Sequence, residues 1–196
     1  MKTQIALGVL AAVALAAGAY YGSRRTASQA AMAVSTMSMA MDQTAGWPKV
    51  PRMTASLMIE KYGPPEKVSE GRIEWGRRWP WKRIVVTDHP YSPLEQAVDY
   101  IVPPERVAAF SRFPHGVTVD AAMAELSARS DREELNRLAL NLADDIATGK
   151  KTPEEAGRFH LKTVKTLSAG KSSPYTERLR FEAPDLRLDF ASFPGP

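Results

Sequence analysis

The stretch from Ser130 to Gly170 constrains the fold most, because its helix start, periodicity and stop signals all agree. Four apolar residues recur at helical spacing in its first half: Leu135, Leu138, Leu142 and Ile146. Ser130 and Glu133 have the spacing of a capping box, and Gly149 can end a helix. The pattern predicts an amphipathic helix with one apolar stripe.

The second half of this stretch predicts another helix. Thr152, Pro153 and Glu155 supply a cap, a proline at the first helical position and a second capping box, and Gly170 can end the helix. Its expected buried side comprises Ala156, Phe159 or His160, Thr163, Val164 and Leu167. A connection of a few residues forces the two helices to lie side by side as a helical hairpin.

Strand patterns occupy much of the remaining chain. Arg72–Trp75 and Trp81–Thr87 flank a turn and predict a β-hairpin, and 94–102 predicts a third strand. We also interpret 116–129 as strand, from Val117 and Val119. Alternation of apolar and charged residues predicts two more strands over 175–181 and 186–190.

These patterns together predict an α+β fold, in which an antiparallel sheet packs against the C-terminal helical hairpin through its leucine stripe. An export signal and a flexible tether precede this fold. The expected organisation is 1–25 as signal peptide or membrane anchor, 26–46 as low-complexity tether, and 47–196 as a single domain.

A shorter helix is expected after Pro51. Met53, Leu57, Met58 and Tyr62 share one helical face, which predicts a buried side. The sequence Tyr-Gly-Pro-Pro that follows cannot continue a helix, since Gly permits a left-handed stop and proline lacks the amide donor.

Residues 53–87 resemble the small SmpA/OmlA (BamE-like) envelope domain: a helix, then Tyr62-Gly63-Pro64-Pro65, then a strand ending in Trp75, then a second strand. The resemblance implies a small envelope protein that braces an outer-membrane assembly and performs no chemistry. This chain departs from that pattern because it has no cysteine for lipidation and adds a long C-terminal half.

The N-terminal segment predicts export. Lys2 precedes an unbroken apolar and small-residue run from Ile5 to Ala19, which is short for a membrane span, and 17–19 has the small-x-small pattern cut by signal peptidase before Tyr20. The alternative is an uncleaved anchor over 5–21, with the tyrosine pair at the interface. The protein would then be periplasmic or tethered to the inner membrane.

Composition removes several classes of function. The chain has no cysteine, which excludes disulfides, thiolate zinc sites and a cysteine nucleophile. The formal charge of +4 is modest and disfavours a dedicated nucleic-acid binder, while it permits attraction to an anionic lipid or glycan surface.

The turn between the first two long strands carries a basic aromatic cluster, whose candidate contact residues are Arg77, Arg78, Trp79 and Lys82. Arginine forks can pair with phosphate or carboxylate, and tryptophan prefers wet-apolar boundaries, so the cluster could contact an envelope protein or an anionic lipid or glycan. Strand alternation favours a plainer interpretation, with Trp75 and Trp81 in the core and the arginines solvating the turn.

The histidines give the competing hypothesis of a small periplasmic metal-dependent hydrolase. His89 and His115, with His160 and carboxylates such as Asp99 and Glu125, have the ligand types that a zinc site needs. Their spacing matches no metal-ligand motif, so we predict no metal, no cofactor and no catalytic residue. The expected function is that of a non-catalytic exported envelope interaction or accessory protein.

Polar residues inside the first long helix are also unusual. Asn136 and Asn141 are poor helix formers and, if buried, are expected to pair with the backbone of the 117–129 segment. Asp144 and Asp145 are adjacent, point about 100° apart and cannot share one proton, so we interpret them as a solvated helix end.

Overall fold

The fold is that of a computed structural model, which describes residues 28–184. It is a mixed α+β structure with one antiparallel sheet of six strands, which confirms the predicted class. The expected export segment 1–25 and the expected strand 186–190 lie outside the described residues.

The helices comprise α1 (28–45), α2 (Lys49–Tyr62), α3 (Pro104–Val107), α4 (Glu133–Ala147), α5 (Pro153–Ser168) and α6 (Pro174–Glu177), with a 3₁₀ turn at Ala108–Arg112. The strands are β1 (Lys67–Ser69), β2 (Arg72–Trp75), β3 (Arg83–Thr87), β4 (Leu94–Asp99), β5 (Val117–Asp120) and β6 (Glu125–Ser130).

The strand order is β1-β2-β3-β4-β6-β5, and every neighbouring pair is antiparallel. The predicted β2–β3 hairpin is confirmed, with Trp75 opposite Ile84. The 116–129 segment, predicted as one strand, forms two strands, β5 and β6, joined by a turn in which Ala124 has a positive φ of 45°.

The two faces of the sheet differ in chemistry because side chains alternate along each strand. The inward face carries buried apolar residues that join one core with α1, α2 and α4, including Ile73, Trp75, Val86, Leu94, Val98 and Leu126. The outward face carries Arg83, Glu95 and Asp99, in register with Ala97, Arg129 and Glu125 respectively.

Helix α4 lies between two apolar layers, which corrects the expected orientation of its leucine stripe. Ala139, Leu140, Ala143 and Ala147 belong to the core shared with the sheet. The stripe itself, Leu138, Leu142 and Ile146, packs with Phe113 and Ala156 on the side away from the sheet. Helix α5 therefore covers α4 and the 3₁₀ turn.

The start of α4 also differs from the prediction. Arg132 occupies the N-cap position without a side-chain cap, and the hydroxyl of Ser130 accepts a long hydrogen bond from the Arg132 amide instead. Glu133 is buried and binds Lys61 and Tyr62 of α2, so it serves a tertiary contact rather than a capping box. The second capping box, at Thr152 and Glu155, is confirmed.

Residues 28–45 are helical, whereas their low-complexity composition predicted a tether without regular structure. Alanine, methionine and glutamine are good helix formers, and this explains the difference. Ala40 is fully buried in the main core and Thr44 is 7% exposed, so α1 is packed against the domain.

The C-terminal strand expected over 175–181 is absent from the described residues. Tyr175 lies in the short helix α6, which a Ser173 capping box opens. Leu179 and Phe181 then pack against the main core without joining the sheet, and Asn141 fixes this segment by donating to the carbonyls of Tyr175 and Arg178. The expected pairing of Asn141 with 117–129 is therefore wrong.

Asn136 is fully buried between α4 and the sheet. Its amide donates to the Leu94 carbonyl and to the Gln96 side chain, and its side-chain oxygen accepts from the Ser130 hydroxyl at 2.7 Å. The residue thus fixes α4 on β4 and on the end of β6, whereas the sequence pointed to 117–129.

Candidate functional site

The tryptophans in and beside the turn between β2 and β3, residues 76–80, differ in burial. We call residues 76–80 the hairpin tip. Trp75 and Trp81, on either side of it, are 0% and 1% exposed, which confirms the plainer interpretation for those two. Their indole nitrogens donate to the Gly63 carbonyl and to the Tyr62 hydroxyl, each at 2.9 Å. Trp79 is 75% exposed.

The cationic side chains around the hairpin tip have carboxylate partners. Arg77 lies 2.5 Å from Asp99, a residue that is 3% exposed, and Lys82 lies 3.3 Å from the same carboxylate. Arg78 pairs with Glu66 at 2.7 Å. These contacts neutralise the predicted contact cations and hold the tip on the edge of the domain.

The ion pairs continue across the outward face of the sheet. Arg83 bridges Glu95 at 2.5 Å and Glu125 at 2.6 Å, and Arg129 also binds Glu95. Burial alone would raise the pKa of Glu95, but hydrogen bonds from Arg129 and Arg83 leave that pKa lowered. The face therefore carries a network of ion pairs that keeps the Glu95 carboxylate ionised.

The structure brings together a different histidine pair from the expected one. His115 stacks on His160 with ring centroids 4.0 Å apart, and both rings lie at the edge of Phe113. His89 belongs to the loop after β3, where its Nδ1 accepts the amide of Ser92 at 3.0 Å. Within residues 28–184, no group of three His, Asp or Glu side chains is placed to hold a metal ion.

Burial and the neighbouring His115 lower the pKa of His160 to about 4, and burial lowers the pKa of His115. The Nδ1 atom of His160 is buried without a hydrogen-bond partner. The pair is thus neutral at neutral pH and packs as an aromatic contact between α5 and the loop before β5.

The Asp144 and Asp145 pair, expected to be solvated, is buried at 7% and 6% exposure. Tyr100 donates to Asp144 at 2.8 Å, while Tyr175 and Lys151 bind Asp145 at 2.8 and 2.6 Å. These tyrosine partners could not be predicted from the sequence, because Tyr100 follows the end of β4 and Tyr175 lies in α6, both far from α4 along the chain.

The pKa directions in this cluster do not suit acid–base chemistry near neutrality. Burial and then Asp144 raise the pKa of Tyr100, so its phenol stays protonated. Partial burial lowers the pKa of Lys151, but hydrogen bonds to Asp145 and Tyr175 leave it raised. A catalytic base needs the opposite shift in a tyrosine or lysine, so these groups act as fixed ion pairs and hydrogen bonds.

Comparison with known proteins supplies no relative: no family model matches the chain, and neither a curated protein nor a solved structure matches it. Of the helices within residues 28–184, none combines the length and apolar character required to cross a membrane.

Proposed function

We propose that the protein is a non-catalytic exported envelope accessory protein that contacts a partner protein through the hairpin tip. The observation that carries the proposal is the 75% exposure of Trp79 on a turn whose flanking tryptophans are buried. Tryptophan is enriched among the residues that dominate binding energy at protein interfaces.

The surroundings of Trp79 support a preorganised contact. Arg77 and Arg78 are anchored to Asp99 and Glu66, and Lys82 donates to the Met123 carbonyl at 2.8 Å. A turn held in this way loses little conformational freedom on binding, which leaves more of the contact energy as affinity.

The charge balance around the hairpin tip favours a protein partner over an anionic lipid or glycan surface. Asp99 already engages Arg77 and Lys82, and an anionic ligand would have to displace that buried carboxylate. Displacing it would leave a buried charge without its partners, which is costly. An exposed indole beside polar groups suits a protein interface.

The remaining parts of the proposal come from the sequence. Residues 1–25 would direct export to the periplasm, or 5–21 would tether the protein to the inner membrane. The resemblance of 53–87 to the SmpA/OmlA (BamE-like) envelope domain supports a role beside an envelope assembly. The mass of the intact protein recovered from cell envelopes distinguishes a chain cut before Tyr20 from a full-length one.

The test is co-purification from cell envelopes with three tagged proteins: the natural chain, Trp79→Ala and Tyr91→Ala. Tyr91 is 82% exposed on another loop and provides a matched control for the loss of a surface aromatic. We expect a stoichiometric partner with the natural chain and with Tyr91→Ala, and its loss with Trp79→Ala. Equal recovery of the partner with all three proteins would overturn the role of the hairpin tip.

A further inference from the structure

Helix α2 leaves an apolar stripe outside the core of the protein. Met53 and Leu57 were expected to be buried with Met58, yet they are 54% and 57% exposed, while Met58 is 5% exposed. Val50, 41% exposed, extends the stripe by one turn. The spacing i, i+3, i+7 is that of a helix face that packs against another element.

This stripe borders a groove of about 450 Å³ between α2 and the start of α4. Leu57, Met58 and Leu94 give the groove an apolar lining, and Leu94 is fully buried beneath it. The hydroxyl of Thr54 donates to the Asp131 carbonyl, and the buried Glu133 binds Lys61, so both sides of the groove are fixed to each other. The groove is therefore preformed.

The rim of the groove is acidic in a chain whose formal charge is +4. Its two cations are paired with carboxylates of the groove itself, Lys61 with Glu133 at 2.9 Å and Arg132 with Asp131 at 2.7 Å. Arg132 also interacts electrostatically with Glu134, and Arg137 adds a second cation to Glu133. The groove is lined by four carboxylates, which still outnumber these three cations: Glu60, Asp131, Glu133 and Glu134. Of the four, Glu60 and Glu134 are exposed. An apolar floor between such charges complements an apolar stripe flanked by lysine or arginine.

We infer that the groove beside the Val50, Met53 and Leu57 stripe binds an amphipathic helical segment of another protein, with apolar residues flanked by lysine or arginine. Its apolar residues would pack on the exposed Leu57 side chain, and its cations would reach Glu60 and Glu134. This binding site is separate from the proposed hairpin-tip contact, and neither depends on the other.

The probe is a helical peptide of leucine and lysine only, roughly two heptads long, with leucine at helical spacing. Its affinity for the full chain is measured by fluorescence anisotropy. Leu57→Asp places a charge on the stripe without disturbing the core, and it is expected to weaken binding at least about tenfold. Leu161→Asp, at a leucine 59% exposed on α5, is the matched control and is expected to bind like the natural chain.

The role of the acidic rim is tested separately with the double variant Glu60→Lys, Glu134→Lys. We expect this variant to bind the lysine peptide more weakly and to bind a peptide of leucine and glutamate more tightly. Equal binding to Leu57→Asp and Leu161→Asp would overturn the inference, because the peptide would then be attracted without a defined site. Self-association of the natural chain that Leu57→Asp abolishes would also overturn it, since the occupant would then be a second copy.

Discussion

Buried polar side chains determine how the layers of this protein fit together. Asn136 joins α4 to β4, and Asn141 joins α4 to the segment after α6. The sequence shows that two asparagines in a leucine-rich helix need partners if they are buried. It does not show which segments supply them, because those contacts join residues 34 to 42 positions apart in the chain.

Leu138 tests the assignment of the second apolar layer. It is fully buried against Phe113 and Ala156, so Leu138→Ala is expected to lower the free energy of unfolding by roughly 2–5 kcal/mol through loss of contacts and a residual cavity. Leu161→Ala, on the exposed side of α5, should change it by no more than about 0.5 kcal/mol. Chemical denaturation of both variants measures this difference, and equal effects would contradict the layer assignment.

His160 predicts a dependence of stability on pH. Its folded-state pKa of about 4 lies below the ordinary value of 6.5, so the unfolded chain binds the proton more tightly. Its contribution is therefore complete above about pH 6.5 and is lost as the pH falls toward 4. Unfolding measured across this range should show a smaller slope for His160→Gln than for the natural chain.

His89 supplies the control for that experiment. It lies in an exposed loop outside the stacked pair, so His89→Gln removes one histidine and leaves the contact between His115 and His160 in place. If His89→Gln reduced the slope as much as His160→Gln, the stacked pair would not be its source.

Elements differ in how well the sequence predicts their environment. Helix α4 was predicted from its leucine stripe, but its contact with the sheet is made by one leucine and three alanines: Ala139, Leu140, Ala143 and Ala147. Alanine occurs on both buried and exposed helix faces, so it gives a weak periodic signal. For this reason the sequence predicted one buried side for a helix that is covered on two.

The contact between α2 and α4 depends on Glu133. Its carboxylate is 6% exposed and accepts from Lys61 at 2.9 Å and Tyr62 at 3.0 Å, and it also binds Arg137. Glu133→Ala leaves the Tyr62 hydroxyl and Arg137 without this acceptor, so we expect a loss of about 1–3 kcal/mol in stability.

The neighbouring Glu134→Ala is the matched control, because Glu134 is exposed. Thermal unfolding of the two variants should separate them clearly. Equal melting temperatures would show that Glu133 does not hold the two helices together.

The class of the fold and the β2–β3 hairpin could be predicted, because both depend on local periodicity and turn residues. The structure of the segment 175–181 could not be predicted. Leu179 and Phe181 alternate with charges as strand residues do, yet they pack on the core as an irregular segment after α6. Alternation indicates one apolar side, but it does not require a strand partner.

Because helix α1 is packed against the main core, the smallest fully stable part of the chain should include it. A chain starting at residue 47, the expected start of the single domain, would lose the packing of Ala40 against the main core. We expect the chain 47–196 to melt lower than the chain 28–196, by on the order of 5–10 °C, because a loss of a few kcal/mol shifts a domain of this size by that amount. Superimposable melting curves would restore the tether interpretation of 26–46.

Photo-crosslinking in intact cell envelopes tests whether the hairpin tip contacts a partner protein, with a photoreactive amino acid in place of Trp79 in one chain and of Tyr91 in another. Both positions are largely exposed, at 75% and 82%, so accessibility does not distinguish them. We predict a discrete crosslink to one partner protein from position 79 and none from position 91. The same products from both positions, or no product from position 79, would contradict a partner contact at the hairpin tip.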